Sequence, residues 1–153
     1  MNLDRLKLLY KDIILEQANN PQNTGRIRNP TNETNVYNPS CGDKLHFTCT
    51  LDKNKKITAI AFEGEGCSIS QASASMMTQV VKGKSTKQAI ELSKIFSDMA
   101  MGKKHSQEDL EKLGDAQVLI NIMQFPARIK CATLSWWALD RMLLGEKRDK
   151  KND

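Results

Sequence analysis

The chain opens on a helical pattern. Leu6, Leu9, Tyr10, Ile13 and Ile14 recur three and four positions apart, which puts one apolar stripe on a helix over residues 2–18. Asn19-Asn20-Pro21 ends it, and the Asn-, Pro-, Gly- and Thr-rich residues 19–34 read as a loop. The period then changes from helical to alternating. Asn35-Val36-Tyr37 reads as a short edge strand stopped by Asn38-Pro39. Leu45, Phe47, Cys49 and Leu51 alternate with Lys44, His46, Thr48 and Thr50, the mark of a half-buried strand. The polar turn Asp52-Lys53-Asn54-Lys55 leads into a strand over residues 56–63 with Ile60 and Phe62 on one side. Connections this short make the strands antiparallel neighbours.

Beyond the loop Glu63-Gly64-Glu65-Gly66 the helical period returns. Ser70 to Val81 reads as one helix, stopped by Lys82-Gly83. Ser85-Thr86-Lys87-Gln88 is a capping box that opens another, running to about Met101. Ser106 caps a short helix ending at Gly114, residues 116–123 read as helical, and Pro126 suits the first turn of a last helix reaching about Leu144. The small residues of Ser73-Ala74-Ser75 predict close helix packing, with Met76 and Met77 in the core. The fold class is therefore α+β: a three-stranded antiparallel sheet packed by about five or six helices. The pattern predicts one domain over residues 1–145, with a charged, flexible tail over residues 146–153.

Composition narrows the function classes. With 153 residues, 39% hydrophobic and 27% charged, the chain suits one core, and no apolar stretch approaches the length of a membrane helix. The N-terminus lacks the apolar run and small-residue site of a secretory signal, so a cytoplasmic protein is expected. The net charge of +5 is modest, the tail is mixed in sign, and no finger spacing or aromatic-rich strand motif points to nucleic acid. A reducing compartment argues against disulfides among Cys41, Cys49, Cys67 and Cys131, and their wide spacing against a zinc ribbon. Metal site, reactive thiol and buried core cysteine all remain open on spacing alone.

Three segments hold the candidate chemistry. In Cys41-Gly42-Asp43, alternate residues of an extended chain point the same way, so a thiolate and a carboxylate can converge. Taken alone, the segment reads better as a turn cysteine followed by a strand-start Asp. In Gly64-Glu65-Gly66-Cys67, the cysteine falls at the positive end of a helix, which favours the thiolate. A small buried cysteine at a corner is the alternative. In Phe125-Pro126-Ala127-Arg128-Ile129-Lys130-Cys131, Arg128 and Cys131 share a helical face, although Arg128 also reads as a solvated residue. Cys49 lies in register with Leu45 and Phe47 and is assigned to the core. His46 and His105, the two histidines, are read as surface residues without ligand partners, which leaves a hydrolytic triad hard to build.

Taken in order, Asn38-Pro39-Ser40-Cys41-Gly42-Asp43, Gly64-Glu65-Gly66-Cys67-Ser68-Ile69-Ser70-Gln71-Ala72-Ser73 and Phe125-Pro126-Ala127-Arg128-Ile129-Lys130-Cys131-Ala132 resemble the SufU branch of the IscU/NifU-N family. The resemblance runs from near the N-terminus to about Leu144. Lys130 stands where the IscU scaffold branch usually has a histidine, and the stretch from Phe96 to Ala116 looks like the insertion of SufU-like proteins. Glu16-Gln17 departs from the family's usual Asp-His pair late in the first helix. The resemblance implies an IscU/SufE-like fold and one zinc ion held by Cys41, Asp43, Cys67 and Cys131. It implies that Cys41 accepts persulfide sulfur from a pyridoxal-phosphate cysteine desulfurase of the SufS type. The sulfur then passes to downstream iron–sulfur assembly proteins, and Arg128 serves the site or a partner contact. Two rival readings use the same residues: a scaffold on which a nascent iron–sulfur cluster is assembled, and a purely structural zinc module.

Overall fold

A computed structural model describes residues 3–144; Gly145 and the tail 146–153 lie outside the described residues. The first apolar stripe forms helix α1, Leu3–Asn19. Three strands follow, β1 (Asn32–Asn38), β2 (Asp43–Leu51) and β3 (Ile57–Glu65), paired antiparallel in the order β1-β2-β3. Helices α2 (Ser68–Val81), α3 (Thr86–Ala100) and α4 (Gln107–Glu111), a 3-10 helix over Gly114–Gln124 and helix α5 (Pro126–Leu144) complete the fold. The expected three-stranded antiparallel sheet with six helices is what the described residues form.

The alternation in β2 decides which face of the sheet is apolar. Leu45, Phe47 and Cys49 are buried, opposite Val36 of β1 and Phe62 and Ile60 of β3. Phe47 and Phe62 stack with ring centroids 5.8 Å apart. The register slips between Thr50 and Leu51, so β3 carries one extra residue there. That bulge lets Ile57 and Ile60 both reach the core although they lie three apart. Two strands outrun their sequence boundaries. β1 starts within the Asn-rich stretch, and β3 continues through Gly64 and Glu65, because β2 offers each of them a ladder partner.

The loop between α1 and β1 is not idle. Asn23 accepts the Phe62 N–H at 3.0 Å, and Gly25 donates to the Phe62 carbonyl at 2.8 Å. This covers the otherwise open edge of β3. Helices α2 and α5 pack against each other, with α1 and α3 on their flanks. Small residues permit this: the Ser73 hydroxyl donates to the Ala132 carbonyl at 2.6 Å. Met76 and Met77 are fully buried, and Phe96 stacks on Trp136 at 4.5 Å. Ser85 and Gln88 close the predicted capping box of α3, and Ser106 caps α4. Gln17 ties α1 down. Its Oε1 accepts from Ser75 Oγ at 2.6 Å and Gln79 Nε2 at 2.8 Å, and its Nε2 donates to Asp115 at 3.1 Å.

Candidate metal centre

The packing of α5 across β1 and α2 brings three distant segments together at one end of the sheet. Cys41 lies in the tight turn between β1 and β2, where its N–H donates to the Asn38 carbonyl at 3.1 Å. Gly42 holds φ at +70°, a left-handed conformation that side chains resist, and this turn therefore requires it. Asp43 opens β2 directly opposite Asn38. Cys67 is the N-cap residue of α2, and Cys131 sits early in α5, fully buried.

The ligand atoms of Cys41, Asp43 and Cys131 lie within 4.8 Å of one another. The Cys131 thiol donates to the Cys41 sulfur at 2.9 Å. Cys67 falls outside that mutual distance, yet it touches the group, since a hydrogen bond from Cys131 to Cys67 helps push the Cys131 thiol up. Burial is the largest cause of that upward shift, followed by the hydrogen bonds to Cys41 and Cys67 and the charges of Cys67 and Asp43. Four acidic groups thus crowd one corner. Arg128 lies beside them, held in its charged form first by a hydrogen bond with Cys131 and then by the charges of Cys67, Cys131 and Cys41.

Asp43 is only 1% exposed and is fixed from three sides. Its Oδ1 accepts the Cys67 backbone N–H at 2.9 Å and the Ser70 hydroxyl at 3.0 Å, and its Oδ2 accepts from Asn38 Nδ2 at 3.2 Å. Gly66 is needed for this approach. A Cβ there would run into the Ser70 hydroxyl and lie 2.8 Å from Asp43 Oδ1. Cys41, by contrast, is half-buried on its turn, and its sulfur takes one hydrogen bond, from Cys131. Thiols and one carboxylate form a soft donor set suited to a thiophilic cation. A tetrahedral ion with sulfur bonds of about 2.3 Å spaces its ligands by roughly 3.8 Å, which the cluster's spread accommodates.

Of the residues singled out in the sequence, Cys41, Asp43 and Cys131 are brought together, with Cys67 and Arg128 beside them. Cys49 stays in the core, where burial pushes its thiol up to about 11. Lys130 is exposed and lines a groove with Tyr37, Asn38 and Trp137. The reading of both histidines as surface residues is corrected: their side chains are 11% and 19% exposed and hydrogen-bonded. His46 Nδ1 lies 2.7 Å from Asn35 Oδ1. His105 bridges two carboxylates, Asp98 at 2.8 Å and Asp109 at 3.0 Å. Both are drawn in because their strand or helix neighbours supply acceptors at the right offsets. Asn38 and Ser70 escaped the sequence reading as site residues. Ser70 is three positions after Cys67 and so on its helical face, whereas Asn38 carried only the signal of a strand stop.

The NifU-like N-terminal domain model matches residues 9–132 of this chain. Over 142 residues the chain is 47% identical to the zinc-dependent sulfurtransferase SufU of Bacillus subtilis (strain 168), covering 93% of this chain and 94% of that protein. It is 40% identical to the iron–sulfur cluster assembly scaffold protein IscU of Streptococcus pyogenes serotype M1, covering 91% and 85%. A crystal structure from Fervidobacterium islandicum AW-1, described as a candidate iron–sulfur cluster assembly scaffold protein of the SUF system, superposes with a TM-score of 0.80 at 30% identity. That match covers 89% of this chain and 97% of the other.

Proposed function

The chain belongs to the NifU-like N-terminal domain family, in its SufU-type branch, and from that premise we propose that it is a zinc-bound sulfur carrier for iron–sulfur cluster assembly. Cys41, Asp43, Cys67 and Cys131 hold the ion. Cys41 takes sulfur from a cysteine desulfurase of the SufS type, so the protein works as a zinc-dependent sulfurtransferase. The observation that carries this reading is the difference in fastening within one cluster. Asp43 is tied by three hydrogen bonds and Cys131 is sealed in a helix, while Cys41 stands half-exposed on a glycine turn.

Zinc, when bound, keeps its thiolate ligands deprotonated at neutral pH and blunts their nucleophilicity. The residues of the chain do the rest. The Cys41 turn keeps that residue half-exposed at the edge of the cluster, within reach of a partner. The Cys41 thiolate attacks the terminal sulfur of the desulfurase persulfide, the old sulfur–sulfur bond breaks, and the desulfurase cysteine leaves as thiolate. Cys41 is left carrying the persulfide. Arg128, exposed and charged beside the cluster, offsets the negative charge that gathers there. An apolar groove of about 490 Å³ begins at Ser68 and Ile69, directly after Cys67, and gives a partner apolar surface next to that residue. A scaffold role would use the same thiols to hold iron, and the kinship with IscU proteins keeps it as the second reading.

Peptide mass spectrometry after incubation with a charged cysteine desulfurase tests the proposal. One added sulfur on the Cys41 peptide is expected, and Cys41→Ala should abolish it. An unmodified Cys41 beside a demonstrably charged desulfurase would overturn sulfur acceptance and leave the scaffold reading.

A further inference from the structure

Asn38 touches three of the residues assigned to the metal centre, and each contact uses a different part of the cluster. Its backbone carbonyl accepts the Cys41 N–H at 3.1 Å, closing the turn that carries Cys41. Its side-chain Nδ2 donates to Asp43 Oδ2 at 3.2 Å and lies 3.6 Å from the Cys131 sulfur. The residue is 5% exposed, so these bonds do not compete with bulk water. A carboxamide with two acceptors before it must turn its NH₂ group toward them.

We infer that Asn38 is a positioning residue for the metal centre, one amide that sets Asp43 and Cys131 in a fixed relation. The inference rests on the zinc-centre reading above. Asp43 Oδ1 accepts the Cys67 N–H and faces the Ser70 hydroxyl, whose one proton also faces the Cys67 carbonyl at 3.0 Å. Oδ2 accepts only the Asn38 bond, which leaves one lone pair. Oδ2, held by the Asn38 amide, is the oxygen this arrangement orients toward the cluster. The same NH₂ group reaches the Cys131 sulfur on α5, so the strand ligand and the helix ligand cannot drift apart independently. Groups that orient metal ligands in this way change affinity by about 10- to 100-fold when removed.

The competing account is that Asn38 only shapes the turn before Pro39. That role lies in the backbone, and Asn38→Asp preserves it, since Asp suits the same turn and has almost the same shape. Asp removes the donor and sets a carboxylate against Asp43 and Cys131. Zinc affinity is measured by competition with a chromophoric chelator for the wild type, Asn38→Ala, Asn38→Asp, Cys41→Ala and Cys131→Ala. Each metal-free protein is also unfolded in urea, and each is loaded with Co²⁺ for its visible spectrum. The expected result is a 10- to 100-fold loss of affinity in Asn38→Ala, a larger loss in Asn38→Asp, and altered ligand-field bands in both. Unchanged affinity and Co²⁺ bands in the two Asn38 variants, whatever their metal-free stability, would overturn the inference while leaving the zinc centre standing. Wild-type zinc affinity in Cys41→Ala and Cys131→Ala would instead show that the centre itself is misassigned, and the inference would fall with it.

Discussion

Two polar clusters sit at different places in this fold, and they are built on opposite electrostatic plans. At the end of the sheet, Cys41, Asp43, Cys67 and Cys131 gather acids beside acids. Between α3 and α4, His105 lies between Asp98 and Asp109, with Lys103 and Lys112 within 3.9 Å and 3.3 Å of those carboxylates. The second cluster is complementary within itself and holds down the stretch read as the SufU-type insertion. In the first, Arg128 stands at the rim, and Asn38, Ser70 and a backbone N–H supply neutral donors. Crowded acids of that kind raise the cost of ionising one another. A cation from outside relieves the repulsion, whereas the histidine cluster needs nothing further.

The comparison breaks most sharply at Cys131. If the acid cluster is built for a cation, zinc stabilises the fold by mass action. At a free zinc concentration about 1,000 times Kd the gain is about 4 kcal/mol. Urea unfolding with and without zinc should show that gain in the wild type and none in Cys131→Ala. Zinc should leave His105→Gln stabilised as fully as the wild type. Equal zinc stabilisation of the wild type and Cys131→Ala would erase the distinction between the clusters.

A smaller effect is expected at Gly66, where the acid cluster demands close backbone approach. Gly66→Ala would drive a Cβ against the Ser70 hydroxyl and to within 2.8 Å of Asp43 Oδ1. Overpacking of a tight site costs about 1–3 kcal/mol. The metal-free variant should lose that much in urea unfolding. A Gly66→Ala protein as stable as the wild type would mean the Asp43 cradle is looser than its hydrogen bonds suggest.

The two clusters also differed in how readable they were. The alternation of Leu45, Phe47 and Cys49 and the capping box at Ser85 are local signals, and the strands and helices they predict are present. Cys41, Asp43, Cys67 and Cys131 became a set only through three ordered motifs, since no spacing rule joins residues from a turn, a helix start and a distant helix. Asn38 was hidden because its contacts are cross-strand and tertiary. The Asn-Pro pair showed a strand end, but nothing in it showed that the carboxamide would turn inward between Asp43 and Cys131. The histidine cluster failed for a related reason. Asp109 is a visible helical neighbour of His105, but Asp98 comes from the preceding helix, and only the turn at Gly102 brings it back. The bulge that buries Ile57 is likewise set by pairing with β2 and has no signature in β3 alone.

The smallest expected effect tests the histidine side of the comparison. Both ring nitrogens of His105 face carboxylates, so both bonds are made only when the ring carries two protons. The hydrogen bond with Asp98, then that with Asp109, raises the His105 pKa above its ordinary 6.5. The same His105 bonds hold both carboxylates below their ordinary 3.8. A raised histidine contributes stability that is fully present below pH 6.5 and is lost as pH rises through the folded-state value. The lowered aspartates contribute stability present above 3.8 and lost as pH falls through their folded-state values. The gap in melting temperature between the wild type and His105→Gln should therefore be widest from pH 3.8 to 6.5. It should narrow on either side, and added salt should shrink it, because the cluster is open to solvent. NMR titration of the His105 ring should place its midpoint above 6.5. A midpoint at or below that value, or a gap indifferent to pH, would show that the clamp carries no charge and that complementary charge is not what secures this stretch of chain.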